Sequence, residues 1–250
     1  MAETGLDILA IAAHPDDIEI TSGGLLIKAA KRGRKTGALD LTAGEMGTFG
    51  DESDRAAEAA AAAKAMGLSF RRNLGFKDAA VEYNQPNKLK IAQVIRDTQP
   101  EMVILPHWNQ RHPDHLACQR LGYDACFLSG LKKIELEGEP YRPRKIIYAS
   151  YYRNEDFSFL VDISEEFEQK VEAVKAYRSQ FGKDTENKKA EELLENGQKN
   201  IFHPGATVFD LMHTRGRYLG QLVGVRYAEA YSVKEKILID DPLAMPVRSI

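Results

Sequence analysis

"LDILAIAAHPDD", residues 6–17, sets an unbroken apolar run directly against one histidine, one proline and two aspartates. Leu6 to Ala13 reads as a short strand buried on both faces, the pattern of a parallel sheet rather than of a half-exposed one. Pro15 cannot donate to a sheet ladder, so the strand ends near His14. From Ile18, "IEITSGGLLIKAAKRGR" reads as a helix stopped near Gly33. Its Gly23-Gly24 pair lowers helix propensity, which points to close packing against a neighbour.

The same alternation continues outward. A second strand is expected around Ala38 to Thr42. After it, "DESDRAAEAAAAAKAMGL" (51–68) is the strongest helix signal in the chain, acidic in its first turn and stopped by Gly67. "SFRRNLGF" (69–76) reads as a short strand and loop, and "NKLKIAQVIRDTQP" (87–100) as a helix closed by Pro100. "EMVILP" (101–106) reads as a buried strand, and "HWNQRHPDHLACQRLGYDACFLSG" (107–130) as a loop passing into a helix. "RKIIYASYY", "FSFLVDIS" and "YAEAYSV" are further strands. "SEEFEQKVEAVKAYRSQF" (164–181) is a helix with Ser164 as N-cap ahead of Glu165, Glu166 and Glu168, and "ATVFDLMHTRGRYLGQLVG" (206–224) is another. The charged stretch 183–200 reads as a solvated helix or mobile loop. Strand-helix alternation predicts an α/β fold, a Rossmann-like, mostly parallel, doubly wound sheet with helices on both faces, in one domain spanning 1–250.

Composition narrows the function class. The 250 residues are 43% hydrophobic and 28% charged, as in a soluble globular protein, and the formal net charge of -3 predicts no broad basic face for nucleic acid or an anionic membrane. Cys118 and Cys126 lie in one predicted helix, about 12 Å apart along its axis, too far for a disulfide. No run of about 18 apolar residues suggests a membrane span. With no secretory signal pattern at the N-terminus, a cytoplasmic protein is expected.

In open α/β sheets, ligands bind outside the carboxyl ends of the strands. "AHPDD" (13–17) and "RHPDH" (111–115) both sit there, and neighbouring strands would make them face one another across one crevice. Imidazole and carboxylate are ligands that zinc and ferrous iron accept, and a catalytic zinc uses three of them. One aspartate of AHPDD can bind metal while its neighbour acts as general base. The plainer alternative is that Asp16 or Asp17 caps a helix and that His112, Asp114 and His115 are surface residues of a first turn. Two such clusters at two strand ends weigh against it. His107 suits a structural role as well as a crevice wall, His203 could approach from the other side, and His213 reads as a packed or surface residue. "GEMGTFG" (44–50) is no phosphate-binding fingerprint; its glycines allow a tight loop over the crevice.

These motifs resemble the PIG-L/LmbE family of metal-dependent N-acetylglucosamine deacetylases. The likeness runs through "LTAGEMGTFGDESDRAAEAAAAAKAMGL", "NLGFKDA", "VILPHWNQRHPDH" and "LVDIS", and is weakest over 183–203. Within the family it is most similar to the bacillithiol-biosynthesis branch, which acts on N-acetylglucosaminyl malate. The resemblance implies that His14, Asp17 and His115 bind zinc, with ferrous iron the alternative such ligands admit. It implies Asp16 as general base, His112 as a cation or hydrogen-bond donor near the developing oxyanion, and Asp114 as the residue that orients or tunes His112. Arg55, Arg111 and Arg153 are the cations expected to meet an anionic aglycone, while Phe49 in "GTFG" stands where the malate branch is expected to carry arginine. A chitooligosaccharide or glucosaminyl inositol deacetylase, or a non-catalytic sugar-binding α/β domain, are the alternative readings. A small amino-sugar substrate and a homo-oligomer are the partners expected.

Overall fold

The computed structural model describes residues 5–151, 156–182, 207–244 and 247. Arg153, His203 and the charged stretch 183–200 lie outside the described residues. Seven strands form one sheet: β1 (Ile8–Ala12), β2 (Thr36–Thr42), β3 (Phe70–Phe76), β4 (Met102–Pro106), β5 (Lys145–Ala149), β6 (Phe159–Asp162) and β7 (Ala228–Ser232). Their order is β3-β2-β1-β4-β5-β7-β6. The first five run parallel, and β7 is antiparallel to both β5 and β6.

The helices are α1 (Asp17–Lys31), α2 (Glu52–Met66), α3 (Gln85–Thr98), α4 (Pro113–Leu128), α5 (Phe167–Lys175), the single turn α6 (Arg178–Phe181) and α7 (Val208–Val223). All five residues of β1 are buried, as its unbroken apolar sequence requires. Successive side chains point to opposite faces. Leu9 and Ile11 therefore join the layer formed with Ile91 and Ile95 of α3 and Leu121 of α4. Ile8, Ala10 and Ala12 join Leu26 and Ile27 of α1, Met66 of α2 and Ala173 of α5 on the other side. Cys118 and Cys126 are both free and buried in α4.

The Gly23-Gly24 pair does what its cost in helix propensity suggested. A Cβ on Gly24 would stand 2.7 Å from Ile163, and one on Gly23 3.2 Å from Lys170, so α5 and the turn before it can lie directly on α1. Glu229 of β7 reaches the same place. Its two oxygens accept from the backbone N–H of Gly24 and Leu25 at 2.8 Å each, from Lys170 Nζ at 2.6 Å and from the Tyr231 hydroxyl at 2.8 Å.

Ser164 is not the N-cap of α5. The helix starts at Phe167, with Glu166 at the cap position and no side-chain cap bond. The Ser164 hydroxyl is already committed: it donates to Asp162 Oδ1 at 2.6 Å and accepts from the backbone N–H of Arg226 and Tyr227 at 3.1 Å each. The stretch read as one helix to Phe181 also breaks after Lys175, where buried Tyr177 donates its hydroxyl to Glu19 at 2.9 Å.

β1 and β4 are adjacent, and the chain leaves them toward opposite ends of the sheet order. Their carboxyl ends therefore open the crevice at the topological switch point.

Candidate functional site

The segments after β1 and β4 meet in a crevice of ≈ 550 Å³ lined by His14, Asp16, Asp17, His112 and His115, and by Asp78 from the end of β3. Asp17 is the hub. Its Oδ2 lies 3.2 Å from His14 Nδ1 and 3.2 Å from His115 Nε2. The two histidines come from segments about a hundred residues apart, and the pairing of β1 with β4 brings them together. His112 stands edge-on to His14 with ring centroids 4.8 Å apart and stacks on His115 at 4.9 Å. Ring nitrogens of His14, His112 and His115 lie within 4.8 Å of one another.

The charges of this cluster suit a divalent cation. Burial opposes ionisation of Asp17, but His115 and His14 outweigh it and hold its carboxyl well below the usual range. Burial likewise opposes protonation of His14, yet Asp17 and Asp78 raise its pKa to about 11. The metal-free cluster thus keeps a cation, the His14 imidazolium, among carboxylates. Two imidazoles and a carboxylate converging on one point are the donor set of a zinc site with an open position. Asp17, His14 and His115 fit that metal.

Asp16 faces the same crevice by a different route. Its φ of 108° lies in the left-handed region, an uncommon conformation for a residue with a side chain, and such strain concentrates at functional sites. Although it occupies the N-cap position of α1, its side chain makes no cap bond. It goes instead to the Arg55 guanidinium, with Nη1 and Nη2 both 3.4 Å from Oδ2. Burial pushes its carboxyl up to about 7, with Arg55 acting against the rise and Asp17 adding to it.

Arg55 is only 4% exposed, so it is part of the wall behind Asp16. Nη2 also donates to Pro15 O at 2.5 Å. Gly44 has φ +73°, and a Cβ there would stand 2.8 Å from the Arg55 guanidinium, so this glycine lets the loop lie on the arginine. Arg111 lines the crevice and is exposed at its rim.

His112 caps α4. Its Nδ1 accepts from the backbone N–H of Asp114 at 3.2 Å, which leaves the proton of the neutral ring on Nε2. Burial, and then repulsion from His115 and His14, lower its pKa. The neutral ring can therefore donate through Nε2. Asp114 meets His112 through its backbone, while its carboxylate accepts from Ala79 N at 2.7 Å and Val81 N at 3.2 Å. His107 is 2% exposed and stacks on Trp108, and His213 bonds the Tyr227 hydroxyl at 3.2 Å; neither lines the crevice.

Sequence reasoning missed two crevice residues of note. Asp78 follows the end of β3 by two positions and contacts His14 Nε2 at 3.0 Å. The strand-end rule that located AHPDD and HPDH would have found it, had "SFRRNLGF" been read as a full strand. Gln110 presents a buried Nε2 with no hydrogen-bond partner among the described residues. No pattern marks it; only the turn after β4 brings the residue to the crevice wall.

Histidines and carboxylates able to hold a metal, beside a half-buried carboxylate at the switch point of an α/β sheet, are the arrangement that a metal-dependent hydrolase requires. The family model for PIG-L, described as GlcNAc-PI de-N-acetylase, matches residues 9–126, which takes in both motifs. The chain is 30% identical over 234 residues to a diacetylchitobiose deacetylase of Thermococcus kodakarensis, covering 89% of this chain and 80% of that one. It is 26% identical over 181 residues to the 1D-myo-inositol 2-acetamido-2-deoxy-alpha-D-glucopyranoside deacetylase of Thermomonospora curvata, covering 58% of this chain and 60% of that one. Among solved structures, the conserved protein TT1542 of Thermus thermophilus superposes with a TM-score of 0.81 at 38% identity, covering 94% of this chain and 97% of that one. The chain belongs to the PIG-L family of deacetylases.

Proposed function

We propose that this chain hydrolyses the N-acetyl group of an N-acetylglucosamine conjugate, releasing acetate and the free amine. One observation carries the reading. Asp17 Oδ2 lies 3.2 Å from His14 Nδ1 and from His115 Nε2, with the half-buried Asp16 carboxylate on the same crevice.

His14, Asp17 and His115 would hold the metal, zinc in the first instance, with ferrous iron the alternative. When bound, the metal acts as a Lewis acid that polarises the acetamide carbonyl and lowers the pKa of the attacking water. Asp16 takes the proton of that water as general base, held in place by Arg55. His112 donates through Nε2 to the oxyanion that develops on the carbonyl oxygen. The amine leaves with the proton that Asp16 took from the water. Asp114 secures the segment 79–81 and, through its backbone, His112.

Two aglycones divide the finer reading. N-acetylglucosaminyl malate, in bacillithiol biosynthesis, follows from the sequence resemblance and needs cations from Arg55, Arg111 and Arg153. The pairing of Arg55 with Asp16 withdraws one of them, and this favours a neutral aglycone such as the second sugar of diacetylchitobiose, as in the Thermococcus relative. We expect zinc-loaded protein to release primary amine faster from diacetylchitobiose than from N-acetylglucosaminyl malate. A preference for malate would restore the bacillithiol assignment and put Arg111 against the dicarboxylate. No amine from these or from the N-acetylglucosaminyl inositol would leave a sugar-binding domain as the reading.

Beyond β7, Ile237, Leu238, Ile239 and Leu243 are exposed, two of them to 94%. Such an apolar arm supports the homo-oligomer expected from the resemblance. Light scattering is expected to give a mass of at least two chains; a monomer would set this aside. Among the described residues no helix is long and apolar enough to cross a membrane. A cytoplasmic, single-domain enzyme is the setting we infer.

A further inference from the structure

We propose that Asp78 is a positioning residue which presents His14 to the metal through Nδ1 and ties that ligand to the glycine loop over the crevice. The inference rests on the reading of His14 as a metal ligand.

Asp78 is 7% exposed and belongs to neither histidine motif. Its Oδ1 lies 3.0 Å from His14 Nε2 and accepts from Ala79 N at 2.7 Å. Its Oδ2 accepts from the backbone N–H of Met46 at 3.0 Å, and its own N–H donates to Glu45 Oε1 at 2.7 Å. One carboxylate thus joins the loop to an imidazole. The opposite nitrogen of that ring, Nδ1, faces Asp17 Oδ2 at 3.2 Å, the atom it shares with His115.

An imidazole ligates a metal through one nitrogen only, and the other must then carry the proton. A carboxylate on Nε2 selects the tautomer with Nε2–H and leaves the Nδ1 lone pair for the metal. It also makes Nδ1 more basic and stops the ring from turning. Asp114 Oδ2 is a second carboxylate on the same side, 3.4 Å from Nε2. It is anchored by the N–H groups of Ala79 and Val81, so it steadies the Asp78 segment as much as the ring. The rival arrangement is a metal on the Nε2 side, among His14, Asp78 and Asp114, whose donor atoms lie within 4.8 Å of one another, as do ring nitrogens of His14, His112 and His115. There no second imidazole is on offer. The Nδ1 side brings His115, which zinc favours. Because Met46 N and His14 Nε2 share one carboxylate, a substrate that shifts the glycine loop is felt at the ligand.

The test is zinc competition against a chromophoric chelator, using the metal-stripped full chain. Wild type is compared with Asp78→Asn, Asp78→Ala and His14→Ala, each checked for folding by circular dichroism. Nitrogen-15 NMR of the histidine rings of zinc-loaded wild type reads which His14 nitrogen is bound, without any variant. Both Asp78 variants are expected to weaken zinc binding by about 10–100-fold, and His14→Ala by more. The spectrum is expected to show Nδ1 bound and a hydrogen-bonded Nε2–H. Wild-type affinity in His14→Ala would overturn the ligand reading itself. Loss in His14→Ala with unchanged affinity in folded Asp78→Asn would overturn the positioning role alone. Zinc on Nε2, with Asp78→Ala as weak as His14→Ala, would make Asp78 a ligand and overturn the proposal.

Discussion

Asp16→Asn is expected to lower kcat/KM by about 10²–10⁴-fold, the usual worth of a positioned general base, while zinc binding stays close to wild type. Asparagine keeps the size of the side chain and can still accept from Arg55, but it cannot take a proton from water. His14 Nδ1 and His115 Nε2 both lie 3.2 Å from Asp17 Oδ2, whereas the Asp16 carboxylate is held by Arg55. Loss of the base therefore leaves the donor set intact. His115→Ala is expected to give the opposite pattern, with metal and activity lost together. Amine release measured beside zinc content separates the two. Unchanged turnover in Asp16→Asn would remove Asp16 as base, and full zinc retention in His115→Ala would break the donor set. The sign of the pH dependence follows. Burial raises the Asp16 carboxyl to about 7 in the metal-free protein, and a bound dication nearby pulls it down. Activity that needs ionised Asp16 should then fall on the acid side, below about pH 7.

Glu229→Gln is expected to cost about 3–5 kcal/mol of folding stability, the range for breaking a buried ion pair. Four donors converge on the Glu229 carboxylate: two backbone N–H groups of α1, the Lys170 ammonium and the Tyr231 hydroxyl. Glutamine replaces one acceptor oxygen by an NH₂ group facing donors. It also leaves Lys170, 6% exposed, without its counter-charge. Lys170→Met should cost less, because Glu229 then keeps three donors. Urea denaturation reads both variants. A loss below about 1 kcal/mol for Glu229→Gln, less than a typical hydrogen bond to a charged group, would show that the network is not what holds β7 and α5 to α1.

Much of the site was legible because its residues are local. His14, Asp16 and Asp17 fall within four positions, as do His112, Asp114 and His115; His14 directly follows the apolar run of β1, and the second group comes one short turn after Pro106 ends the run of β4. Arg55 was expected as a cation for the aglycone, and its pairing with Asp16 was not expected. The acidic Asp16 lies 39 positions away, and only the packing of α2 against the β1-α1 turn makes them neighbours. Asp78 was hidden because β3 is a partly exposed edge strand with "RRN" at its centre, so its hydrophobic signal is weak. Ser164 misled for a related reason. A serine before acids is a good local cap, yet two backbone N–H groups sixty positions away claimed its hydroxyl first.

Contiguous stretches of the chain were enough to establish the parallel α/β class, the strands that carry chemistry and the residue types able to hold a metal. Those properties are encoded locally: in runs of apolar residues, helix stops, and acids beside histidines. Strand order, the antiparallel turn of β7 and the engagement of Arg55 emerged only in three dimensions, as did the tie from Asp78 to His14. Each depends on which surfaces bury against one another across long separations in the chain. That choice is made by the packing of two helical layers on the sheet, and local pattern does not carry it.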